Sequence, residues 1–193
     1  LLAGFDTGPG NTLLDHWIRH ERGDNYDSSG AWAGSGQVSA CALEALLAEP
    51  YFARTGPRST GKELFNLDWV DQRLAGLPRP EPQDLQATLL ELTARSISEA
   101  IRHYGHPVAE VYVCGGGAHN TVLVQRLSAL LAPAPVASTE TLGLHPDWVE
   151  AVTFAWLAQQ TMARLPGNAP VVTGAGGDRI LGAIYPGTID PDT

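Results

Sequence analysis

The chain has 193 residues, enough for one domain with a sizeable core. With 44% hydrophobic and 17% charged residues it is not a disordered segment, and a formal charge of −9 repels phosphodiester backbones, so nucleic acid is excluded as an expected partner. No apolar run reaches about 18 residues, so no membrane span is expected; Cys41 and Cys114, far apart and without a CxxC pairing, point to a reducing, cytoplasmic setting and away from a disulfide scaffold or zinc site.

The first residues, Leu1-Leu2-Ala3-Gly4-Phe5, carry neither a starting Met nor a charged leader, and the expectation is a piece cut from a longer protein. Residues 1–6 are apolar and predict a buried strand running into a tight turn, Asp6-Thr7-Gly8-Pro9-Gly10-Asn11. Leu13, Leu14, Trp17 and Ile18 then fall at helical spacing. Residues 24–36 are polar and rich in Gly and Ser, hence a loop, and a second helix is predicted over 38–48, before Pro50. An irregular stretch follows, then a short helix from Asp68 to Gly76 and a stiff connector marked by Pro78, Pro80 and Pro82.

The clearest helix comes next, with Leu85, Leu89, Leu92, Ser96, Ile97, Ala100, Ile101 and Tyr104 forming one apolar stripe. Residues 108–114 predict a strand ending in Gly115-Gly116-Gly117-Ala118-His119-Asn120, followed by a helix up to Pro133 and a short strand at Val136 and Ala137. Pro146 suits the first position of a further helix reaching about Arg164. Val171-Val172-Thr173 suggests a last strand-like piece. Alternating strands and helices imply an α/β fold, a mixed β-sheet with flanking helices, whose ligands sit at the C-terminal ends of strands.

Four constellations stand out. The turn at residues 6–11 presents a carboxylate at a strand tip, glycines that allow close backbone approach, and a helix N-terminus suited to phosphate; it is equally readable as a plain strand-turn-helix junction capped by Asp or Thr. Three successive glycines at 115–117 cost conformational entropy, which either a closely approaching nucleotide or tight helix–sheet packing explains. His119 there is a helix-start residue rather than a catalytic one. Gly56-Pro57-Arg58-Ser59-Thr60-Gly61-Lys62-Glu63 nearly has phosphate-loop spacing, but Glu63 replaces the hydroxyl that would hold Mg2+. It is therefore a surface or interface loop, or a support near the cleft. Finally, Asp147 and Glu150 open a helix, where acids cap favourably. Glu150 also aligns with Phe154 and Leu157, which would turn its carboxylate inward toward a polar ligand.

Gly4 to Asn11, Ser59 to Asn66, Cys114 to Asn120, His145 to Ala151 and Asn168 to Gly174 together resemble the anhydro-N-acetylmuramic acid kinases, within the sugar kinase, heat-shock ATPase and actin superfamily. The resemblance implies one half of an actin-like (ribonuclease H-like) ATPase fold: residues 1–175 as a nucleotide-binding C-terminal domain, and 176–193 as a tail packing on an N-terminal domain. It implies ATP and Mg2+ as cofactors, 1,6-anhydro-N-acetylmuramic acid as substrate, and a homodimer for the full-length protein. Asp6 would be the general base that activates water, and Glu150 would bind the sugar. Thr7, Gly8 and Gly10 would approach the outer phosphates; Gly115, Gly116, Gly117 and Asn120 would line the inner phosphates or nucleoside. Without the other half, the piece is expected to bind nucleotide weakly at most. Another sugar or acetate kinase, a non-catalytic nucleotide-binding module, and a structural half using the exposed-looking Trp32 and Tyr51 as a dimer surface are the alternatives.

Overall fold

In a computed structural model, the chain is described over residues 3–104, 107–185 and 187. Helix α5 (Pro82–Tyr104) is its axis, and α1 (Thr12–Arg22), α2 (Ala31–Ser35), α3 (Ala40–Leu47) and α6 (Thr121–Leu131) all pack on it. A short helix, α4 (Leu67–Arg73), closes the core against α1 and α3. Leu13, Leu14 and Trp17 of α1 meet Leu85, Leu89 and Leu92 of α5 in that core, as the spacing predicts.

Local chemistry explains the helix starts. Ser39, Asn66 and Asn120 each turn a side-chain oxygen back onto a backbone N–H two or three positions into α3, α4 and α6, supplying a partner for a donor that no helical carbonyl reaches. Gly23 ends α1 in the left-handed region at φ 76°, where a side chain would be strained.

Helix α5 departs from its predicted single stripe. Gln86, Thr88, Glu91 and Thr93 are buried alongside the leucines, so the helix is enclosed on every side from Leu85 to Ala94 and opens to solvent toward its C-terminus. Burying these groups is tolerable because most are partnered. Thr93 donates to the Gly10 carbonyl at 2.9 Å, and Gln86 donates to Asp27 at 3.3 Å. Glu91, only 4% exposed, accepts from Arg126 at 2.6 and 2.8 Å and from Arg95 at 2.7 Å. Burial pushes the Glu91 carboxyl up, but the hydrogen bonds from Arg126 and Arg95 outweigh it and hold the group below the usual carboxylate range.

The described residues hold one sheet of two parallel strands, β1 (Val111–Val113) and β2 (Val136–Ser138), with Val111 opposite Val136 and Val113 opposite Ser138. Helix α6 makes the crossover between them, as parallel pairing requires. The fold is thus mostly helical, and the larger mixed sheet expected from the sequence is corrected to this parallel pair. Residues 3–6 of the expected first strand take no regular structure, and Leu1 and Leu2 lie outside the described residues. A strand has no hydrogen bonds of its own and needs a neighbour; here the Asp6 N–H finds only the Arg58 carbonyl, at 3.1 Å. The expected strand at 171–173 is instead one helical turn, α8 (Pro170–Thr173), which Pro170 opens and Gly174 stops at φ 70°.

Helix α7 (Val149–Met162) follows a 3-10 turn at Pro146–Trp148 and buries none of its residues. Residues beyond it fold back along it: the Gly167 N–H donates to the Arg179 carbonyl at 3.0 Å, and Thr161 donates to that of Leu181. No helix among the described residues is long and apolar enough to cross a membrane.

Candidate active site

Two loops fix Asp6. Its backbone carbonyl accepts from the Tyr51 hydroxyl at 2.8 Å and from Arg58 Nε at 3.2 Å, and its carboxylate Oδ2 accepts from the Thr60 N–H at 3.0 Å. The side chain is exposed, and one carboxylate oxygen has no protein donor among the described residues. Sequence inspection missed Arg58 and Thr60 as partners of Asp6. Their segment attracts notice in the sequence for its phosphate-loop spacing and, from Ser59 to Asn66, for the family resemblance; in the structure it binds Asp6. Tyr51, taken from the sequence as exposed, is 1% exposed and sits beneath the turn.

The glycines of this first turn differ in their reasons. A side chain at Gly8 would crowd Phe52 and Ser96 at 3.0 Å each, so tight packing on α5 already accounts for it. Gly10 has open space around it but adopts φ 56°, the region glycine reaches without strain. Neither Asp6 nor Thr7 caps α1: Asn11 holds the N-cap position and makes no side-chain cap bond.

The Asn11 side chain turns instead to the second glycine turn. A Cβ built on Gly116 or Gly117 would lie 3.6 or 3.7 Å from Asn11 Nδ2, and one on Gly115 would meet nothing within 4 Å. Gly115 adopts φ 69°, ψ −169°, a conformation open to glycine alone. Thus the structure brings Asn11 of the first turn against Gly116 and Gly117 of the second, while a side chain at Gly115 would enter open space. Asn120 is mostly buried; its Oδ1 accepts from the Leu123 N–H at 3.0 Å, and a side-chain carbon at Gly30 would collide with that oxygen.

Between the turns lies a cavity of about 410 Å3 whose lining includes Asn11, Leu14, Asp15, Tyr26, Gly116 and Asn120. Burial pushes the Asp15 carboxyl above its usual range against the pull of Arg19 and His16, with Asp27 adding to the push. A smaller cavity, about 270 Å3, lies beside Thr7. The Gly116 backbone and the Asn11 amide on this wall are groups that a nucleotide phosphate can approach, against the two carboxylates of Asp15 and Asp27. No group of three or more His, Cys, Asp or Glu among the described residues is placed to hold a metal ion; Mg2+ in such sites is held mainly by phosphates and water.

Glu150 is not where its spacing predicts. It is exposed at the head of α7, and so are Phe154 and Trp156 behind it, so the inward-facing stripe is corrected. The helix head is nonetheless tied to the second turn: the Gly115 N–H donates to the Pro146 carbonyl at 3.0 Å, and His119 Nε2 pairs with Asp147 at 2.7 Å. His119 is therefore a tether between segments, a role its sequence position does not reveal.

A profile of the anhydro-N-acetylmuramic acid kinase family matches residues 2–187. The chain is 54% identical over 185 residues to the anhydro-N-acetylmuramic acid kinase of Pseudomonas fluorescens (strain Pf0-1), covering 96% of this chain and 51% of that protein. It is 53% identical over 186 residues to the enzyme of that name from Thiobacillus denitrificans, covering 96% and 50%. For the one from Coxiella burnetii (strain Dugway 5J108-111) the identity is 53% over 182 residues, covering 94% and 49%. The chain spans about half the length of the curated relatives it matches. Matched along nearly its whole length by both profile and relatives, this chain belongs to the anhydro-N-acetylmuramic acid kinase family.

Proposed function

We propose that the chain is the nucleotide-binding C-terminal half of a cytoplasmic, ATP-dependent kinase of peptidoglycan recycling. Its reaction opens the anhydro ring of 1,6-anhydro-N-acetylmuramic acid and phosphorylates O6. The observation that carries this reading is the meeting of two glycine turns at Asn11, beside a cavity lined by Asn11, Gly116 and Asn120. Gly115, Gly116, Gly117 and Asn120 line the nucleoside and inner phosphates, with Thr7, Gly8 and Gly10 nearer the outer ones. ATP, with Mg2+ on its phosphates, supplies the phosphoryl group.

Asp6 takes the proton of the attacking water. Its Oδ2 is held by the Thr60 N–H, which leaves the other oxygen to accept from water. The water oxygen bonds to the anomeric carbon as the bond from that carbon to O6 breaks, the base half of an inverting glycosidase. Glu150, exposed at the head of α7, contacts sugar hydroxyls once the site is complete. In this reading β1 and β2 belong to the sheet of an actin-like ATPase domain spanning residues 1–175. An N-terminal domain covers α7 and the tail from residue 176, and two full-length chains form a homodimer.

Asp6→Asn in the full-length protein tests the assignment. The amide oxygen still accepts from Thr60, so ATP binding should persist while turnover falls by about 10²- to 10⁴-fold. Turnover within a few-fold of the parent would remove Asp6 from the chemistry.

A further inference from the structure

The cavity beside Thr7 is lined by basic side chains to which the kinase reading gives no ligand. Arg54, Arg58 and His103 line it, together with Thr7, Ser96 and Tyr104. The guanidinium carbons of Arg54 and Arg58 lie 5.6 and 5.3 Å from the centroid of one ring, that of Tyr51. Neither arginine forms an ion pair among the described residues; Arg58 Nε donates to the Asp6 carbonyl, at 3.2 Å. In a chain of net charge −9, two arginines and a histidine on one cavity make its lining locally basic, with Glu99 as the acid among the lining residues. An anion in a cavity that both guanidinium groups line is attracted by each of them and can accept their N–H groups.

The polar fittings agree. The Tyr104 hydroxyl accepts from the Gly56 N–H at 2.6 Å, which leaves its own hydrogen to donate. Thr7 brings a second hydroxyl from the turn that holds Asp6. Glu99 also lines the cavity and opposes an anion, so it must swing toward solvent, where its side chain already stands exposed.

We infer that this cavity is an oxyanion subsite in which Arg54 and Arg58 hold a small carboxylate or phosphate next to Asp6. Its two possible sources are the lactyl carboxylate of the muramic acid sugar and the terminal phosphate of the nucleotide, and that identification, unlike the anion binding itself, rests on the kinase reading.

Calorimetric titration of the full chain with D-lactate and with inorganic phosphate tests this. Saturable binding of at least one is expected, weakened about tenfold by Arg54→Gln, strengthened by Glu99→Gln and unchanged by Arg164→Gln, a surface control. Lactate binding alone assigns the subsite to the sugar; phosphate binding alone assigns it to the nucleotide. If neither binds, or if Arg54→Gln and Arg164→Gln behave alike, the subsite does not exist. Anion binding with these dependences in a full-length protein inactive on the anhydro sugar would overturn the kinase reading and leave the subsite standing.

Discussion

Helices α5 and α7 both carry many apolar side chains, yet one is enclosed on every side from Leu85 to Ala94 and the other buries nothing. In α5 the enclosure extends to Gln86 and Glu91, which are tolerated only because Asp27, Arg95 and Arg126 meet them. In α7 Val152, Phe154, Trp156 and Met162 face outward, Phe154 at 67% exposure. What a helix contributes to stability therefore follows from what surrounds it and not from its composition. Within this chain, a polar residue of α5 should matter more than an aromatic one of α7.

The largest effect is expected from Leu89→Ala in α5. Leu89 is 1% exposed at the centre of the core, and the substitution should cost about 2–5 kcal/mol in denaturant unfolding. Arg126→Ala should follow at about 1–3 kcal/mol, because it leaves Glu91 buried with Arg95 alone. Glu91 also predicts a pH dependence. Its folded-state pKa is depressed, so its contribution is complete above the unfolded value of about 4.3 and is lost as pH falls through the lower folded value. Glu91→Gln should flatten that acid limb of the stability curve. Phe154→Ala should change the stability of this chain by less than about 0.5 kcal/mol, as for a surface position. The same substitution in the full-length protein sharpens the contrast: a cost of about 3–5 kcal/mol there would mean that further polypeptide covers α7.

Local signals were legible in the sequence. The α1 stripe, the long helix α5 and the proline-opened start of the turn before α7 follow from spacing and caps within a few residues, whereas the sequence suggests His119 as the start of α6 and Asn120 is its cap. Features that depend on distant partners were not. Residues 3–6 and 171–173 have strand-like composition, but a strand exists only where another edge accepts its hydrogen bonds. The apolar spacing of Glu150, Phe154 and Leu157 shows which face of α7 favours burial and says nothing about whether a neighbour is present. At the candidate site, the Asp6 and Gly115–Gly117 turns were visible as sequence. The contact of Asn11 with the second turn, the Thr60 hold on Asp6 and the His119–Asp147 tether link residues dozens of positions apart, and no local pattern encodes them.

The missing side chain at Gly30 has a consequence for substitution. Any larger residue there would have to take the left-handed backbone at φ 71° and also displace the oxygen by which Asn120 holds the start of α6. Strain in the 26–30 loop would therefore be transmitted to the neighbouring glycine turn, so that adding a single methyl group outside the cavity would be enough to reshape its wall.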